Sequence, residues 1–148
     1  MIYVPDTNVL LRFAVRADPQ HTAVLSSIKQ IKNGGHGIYI LLQNCVEFWN
    51  VFTRPKARNG FGLTAAQADY SLRLLEKMFS LLPETGEIYD QWKRLVLDFG
   101  VFGVQVHDAR IVAAMLVHRA THLLTFNTSD FNRYSKMGIV AISPKNFQ

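Results

Sequence analysis

Short apolar runs alternate along this chain with longer stretches whose apolar residues recur every three or four positions. Runs of the first kind predict strands: Ile2-Tyr3-Val4, residues 38–42, 121–126 and 139–142, with a weaker one at Leu81-Leu82-Pro83. Stretches of the second kind predict helices over about 20–32, 43–54, 65–79 and 87–99, and another from Asp108 onward. The first run is bounded by Pro5, which offers no ladder donor, so pairing should fade there. Thr7 and Asn8 are good helix caps, and Val9, Leu10, Leu11 and Phe13 start an apolar helical turn. Asp6 is thereby placed at the carboxyl end of a central strand, the edge where open α/β sheets bind ligands.

The punctuation between these elements supports the same division. Asp18-Pro19 opens the second helix, with Val24, Leu25, Ile28 and Ile31 on one face, and Gly34-Gly35 ends it. Thr64-Ala65-Ala66-Gln67 is a capping box for a helix that turns Ala68, Leu72, Leu75, Met78 and Phe79 inward. Residues 101–106 are broken by glycines and read as a loop, and the helix after Asp108 is apolar nearly all round, hence buried. Strands alternating with helices predict an α/β fold: a mostly parallel sheet with helices on both faces.

Two segments carry polar residues where the pattern calls for apolar ones. In 43–54, Gln43, Glu47, Asn50 and Arg54 recur at spacings of four, three and four, one narrow stripe on an otherwise apolar helix. A solvated stripe is the plain alternative. The helix stops at Pro55, and the basic stretch Arg54-Pro55-Lys56-Ala57-Arg58 is either a solubilising turn or a rim for phosphates. After the strand at 121–126, Asn127-Thr128-Ser129-Asp130 again puts polar groups and an acid at a strand end.

Composition narrows the function. At 148 residues and 49% hydrophobic, the chain suits a single domain, 1–148, with a real core. One cysteine, Cys45, excludes an internal disulfide and a cysteine-type zinc site. No apolar run is long enough to span a membrane and the N-terminus has no signal-peptide pattern, so a cytoplasmic protein is expected. The net charge of +5 favours an anionic partner.

With only 11 acidic residues in the chain, those at strand and helix ends stand out. Asp6 and Asp130 follow strands, Glu47 lies on the striped helix and Asp108 opens the buried one. Singly, each has a bland account; Asp108, for example, suits a helix N-terminus. Together, unneutralised carboxylates in one cleft would repel, and a divalent cation removes that cost. An all-oxygen donor set favours Mg2+ or Mn2+. Metal ions held this way suit phosphodiester cleavage, with Arg12, Arg54, Lys56, Arg58 and Arg110 as candidates for holding the RNA or DNA backbone.

The motifs Asp6-Thr7-Asn8-Val9-Leu10-Leu11-Arg12, Glu47 on a helix, His107-Asp108-Ala109, and Leu123-Leu124-Thr125-Phe126-Asn127-Thr128-Ser129-Asp130-Phe131 resemble, in order and over essentially the whole chain, the PIN-domain family. They look most like its VapC-type toxins of bacterial toxin–antitoxin pairs. The resemblance implies a three-layer α/β/α PIN-like fold with a four- to five-stranded sheet, and a magnesium-dependent endoribonuclease. Asp6, Glu47 and Asp108 match the family's metal-binding acids, and Thr7 and Asn8 match polar residues that support the first of them. Many members have aspartate where this chain has Asn127, so either Asp130 substitutes as the fourth catalytic acid or Asn127 serves as a polar ligand. Pro5 departs from the aliphatic or small residue usual there. The resemblance further implies a homodimer and a cognate antitoxin that covers the groove.

Other functions compete with this one. The chain could be a PIN nuclease of RNA maturation or DNA processing, or a catalytically degenerate PIN module that binds nucleic acid. An aspartate ending the first strand also suits phosphotransfer, but the haloacid-dehalogenase pattern needs a second aspartate where Asn8 stands.

Overall fold

The computed structural model describes residues 1–147. Five strands form one parallel sheet: β1 (Ile2–Pro5), β2 (Gly37–Ile40), β3 (Ser80–Leu81), β4 (His122–Leu124) and β5 (Val140–Ile142), in the order β3-β2-β1-β4-β5. Helices α1 (Thr7–Ala14), α2 (His21–Asn33), α3 (Leu42–Thr53) and α4 (Ala65–Met78) cover one face. Helices α5 (Gly86–Asp98) and α6 (Gln105–Val117) cover the other, and the short α7 (Thr128–Phe131) follows β4. The result is the expected three-layer α/β/α arrangement with β1 central.

Strand alternation feeds both faces. Tyr3 and Leu124 pack with Val9, Leu10, Ile28 and Phe48 under α1–α4, while Val4 and Leu123 pack with Ile88, Leu95, Val112 and Met115 under α5 and α6. Because both faces are covered, the strands read as continuous apolar runs rather than alternating ones. Helix α6 is buried from Ala109 to Met115 except for Arg110, as its all-round apolar sequence requires.

Several expectations change in detail. Asp6 itself caps α1 by accepting the Thr7 N–H, so Thr7 and Asn8 are the first residues inside the helix. Helix α6 begins three residues before Asp108, recruiting Gln105 from the expected loop, and Asp108 stands in its first turn. Met78, expected inward, is 45% exposed because the last turn of α4 borders an open groove against α1 and α2. Beyond β4, Asn127 caps α7, and a 3-10 segment at Asn132–Met137 follows it.

Candidate active site

Parallel strands place their carboxyl ends at one edge, and the chain leaves β1 and β4 there beside the start of α6. Asp6 is 8% exposed. Its Oδ1 accepts the Thr7 N–H at 2.8 Å, and its Oδ2 accepts the Thr125 hydroxyl at 2.9 Å. Thr125, just past β4 and fully buried, also accepts the Asn127 N–H at 3.0 Å. The end of β4 thus grips both the first acid and the turn that leads to Asp130.

Glu47 arrives from α3. One carboxylate oxygen accepts the Thr7 hydroxyl at 2.7 Å and the other accepts the Gln43 amide at 2.7 Å. The Gln43 amide also donates to the His107 carbonyl at 2.8 Å, which ties α3 to the first turn of α6. The Gln43 carbonyl accepts from Arg110 at 3.1 Å, and Arg110 pairs in turn with Glu84. Asn44, fully buried, accepts the Leu41 N–H and donates to the Pro5 carbonyl and the Thr7 hydroxyl. Asp6 and Glu47 are therefore joined through Thr7, and each carboxylate oxygen of the pair is hydrogen-bonded.

The electrostatics show how close the four acids stand. Burial lifts the Asp108 carboxyl from its ordinary 3.8 to about 6, and the charges of Asp6, Asp130 and Glu47 add to the rise. Burial raises Asp6 as well, pushed further by Glu47 and Asp130 and held back by its bonds to Thr125 and Thr7. Asp130, exposed on α7, lies near enough to act on both.

The donor set is all oxygen. Among the described residues, no three acid, histidine or cysteine side chains are arranged to hold a metal ion as they stand. The chemistry nonetheless fits a hard divalent cation: mutually repelling carboxylates, and a buried Asn8 Oδ1 with no hydrogen-bond partner. Asp6, Glu47, Asp108 and Asp130 are the residues that could hold one.

A groove of about 790 Å3 opens beside Glu47, lined by Gln43, Glu47, Asn50, Arg54, His107 and Arg110 with Leu42, Val46 and Val104. The polar stripe of α3 is its wall. Of the predicted backbone-binding residues, Arg54 and Arg110 face this groove. Lys56 and Arg58 lie exposed on a 3-10 turn outside its lining, and Arg12 lies 4.4 Å over the Phe126 ring and 4.0 Å from Asp18. Asn127 is exposed, and its backbone ties it to the site: its N–H donates to Thr125 and its carbonyl accepts the Asp130 N–H at 3.1 Å. Sequence reasoning missed Asn44 and Thr125. Thr125 was legible as a polar residue at a strand end; Asn44 was hidden among the polar residues that open α3.

Residues 3–137 match the family profile described as PIN domain. Among solved structures, the fold is similar to VapBC2 from Rickettsia felis bound to a DNA fragment from its promoter, at 14% identity and a TM-score of 0.67, covering 97% of this chain and 98% of that one. It is similar to VapBC-1 from nontypeable Haemophilus influenzae at 18% identity and 0.67, covering 97% and 98%. It is similar to a toxin–antitoxin complex from Klebsiella pneumoniae at 20% and 0.63, covering 96% and 97%. No curated protein matches the sequence.

Proposed function

Because this chain belongs to the PIN domain family, we propose that it is a magnesium-dependent endoribonuclease, the toxin of a toxin–antitoxin pair, acting as a single unit over residues 1–148. One observation carries the reading: at the carboxyl edge of the sheet Thr7 joins Asp6 to Glu47, and the charges of Asp6, Glu47 and Asp130 act on Asp108, whose carboxyl is raised by burial and by them. Such repulsion is retained where a cation is to be bound. When bound, the ion lowers the pKa of an attacking water and neutralises charge on the phosphate.

The chain's own residues do the rest. Asp6, Glu47 and Asp108 are proposed to hold the ion, with Asp130 as the fourth acid. Thr7 and Thr125 fix the Asp6 carboxylate, and Gln43 and Thr7 fix that of Glu47. Asn8 lends a neutral oxygen. Asn127 positions the turn that carries Asp130, and the groove beside Glu47 receives the RNA.

Partners are proposed on two grounds. The similar structures are toxin–antitoxin complexes, which supports a cognate antitoxin. Val46 and Val104 stand 61% and 83% exposed at the groove, and Phe102 stands 79% exposed two residues before Val104, an apolar border suited to a second copy of the chain. Among the described residues no helix is long and apolar enough to cross a membrane, and we place the protein in the cytoplasm. Pure protein should cleave RNA with Mg2+ or Mn2+, and EDTA, Asp6→Asn or Asp108→Asn should each abolish cleavage. Full activity in either variant would sink this assignment.

A further inference from the structure

We propose that Arg54 is the phosphate anchor of the groove, gripping a phosphate that flanks the cleaved one; this rests on the nuclease reading above. The stripe Gln43, Glu47, Asn50 and Arg54 lines one wall of the groove. Seven residues at 1.5 Å each put Arg54 about 10 Å along the helix from Glu47. It addresses a neighbouring phosphate rather than the one at the acids.

Lys56 and Arg58 lie outside the lining of the groove, and two other candidate cations are already engaged. Arg110 is neutralised by Glu84 and donates to Gln43, and Arg12 is matched with Asp18 and stacked on Phe126. Among the described residues, Arg54 has no carboxylate within ion-pair range. One end of its guanidinium donates to the Asn59 carbonyl at 3.1 Å, while Nε is buried without a partner. A half-buried cation with no carboxylate partner, lining a polar groove, is matched to a phosphate, two of whose oxygens its planar guanidinium can grip.

The loop after Arg54 is built to hold it there. Phe61 N–H and Leu63 N–H return to the Val51 and Phe52 carbonyls at the end of α3, and Gly62 N–H returns to the Arg54 carbonyl. Asn59 adopts a left-handed conformation at φ 61°, tolerated by asparagine. A Cβ on Gly60 would lie 1.9 Å from the Arg54 carbonyl oxygen, so only glycine allows this approach. The sequence Arg54-Pro55…Asn59-Gly60 is thus a clamp on one arginine rather than a merely solubilising turn.

The test uses the full chain and a fluorescein-labelled single-stranded RNA. Its anisotropy is followed in EDTA over a series of KCl concentrations, with KM and kcat measured separately in Mg2+. Arg54→Ala should weaken binding about tenfold and lower the slope of log affinity against log salt by about 0.7, the value for one phosphate contact on a single strand. KM should rise and kcat stay within about twofold. Arg54→Lys, which keeps the charge and guards against a folding defect in the alanine variant, should retain the slope but recover only part of the affinity. Arg73→Ala, which removes an exposed cation of α4 paired with Asp69, should match the wild type. An Arg54→Ala protein that binds like Arg73→Ala while the wild type binds RNA overturns the anchor. RNA binding without cleavage in Mg2+ overturns the nuclease reading and leaves the anchor standing. No binding by the wild type overturns both.

Discussion

Replacing Asp108 by asparagine should stabilise the metal-free protein at neutral pH, although the residue is proposed to be essential for activity. The folded chain holds the Asp108 proton more tightly than the unfolded chain does, at about 6 against 3.8. The associated stability is fully present below pH 3.8, falls as pH rises, and is lost above about pH 6. At 1.36 kcal/mol for each pH unit, the full difference is about 3 kcal/mol. Asp108 is only partly buried, so solvent screening cuts this to about 1.5 kcal/mol. The asparagine also gives up a favourable charge in the first turn of α6, about 0.5 kcal/mol. The net gain is about 1 kcal/mol at pH 7.5, shrinking toward zero at pH 4.5. Urea denaturation of both proteins in EDTA at the two pH values measures it. A destabilised variant at pH 7.5, or an equal gain at both values, would refute the reasoning.

Two further substitutions test the frame around the acids. Asn44→Ala strands the buried Leu41 N–H and Pro5 carbonyl and should cost about 2–5 kcal/mol in urea denaturation; a loss under about 1 kcal/mol would show that the tie between α3 and β1 is dispensable. Thr125→Val strands the Asn127 N–H and removes the hydroxyl that holds the Asp6 proton affinity down, so the acid limb of the pH–rate profile should move to higher pH; an unmoved limb contradicts that role.

The sheet and the helices were legible because they rest on periodicity, and periodicity follows from which residues must leave water. Glu47 illustrates the reach of that logic: a lone acid in the stripe of an apolar helix has few places to point except a shared cleft. What the sequence concealed depends on contacts between distant segments. Asn44 and Thr125 act through bonds to residues 37 to 119 positions away, which no local pattern records. The start of α6 was misplaced because Val104-Gln105-Val106 has no cap residue, and the structure shows no side-chain cap there. The five basic candidates could not be ranked from sequence, since rank depends on which carboxylates reach them: Glu84 reaches Arg110, Asp18 reaches Arg12, and none reaches Arg54 among the described residues.

Pro5 explains how a central strand makes room for this site. Along β1, successive residues aim their backbone groups at opposite neighbours. Asp6 N–H points to β4 and bonds the Leu124 carbonyl, so the position of the missing Pro5 N–H faces β2. Pairing of β1 with β2 runs through Tyr3↔Ile38, while pairing with β4 continues to Pro5↔Leu124. Proline therefore withholds the donor that would extend the β1–β2 ladder, and that pairing stops at Tyr3↔Ile38. Asn44 of α3 takes the Pro5 carbonyl, with its amide also on the Thr7 hydroxyl that Glu47 accepts. Pro5 thus ends the β1–β2 ladder and Asn44 satisfies the carbonyl just beyond that end, so the helix bearing Glu47 is fixed against the strand that leads into Asp6.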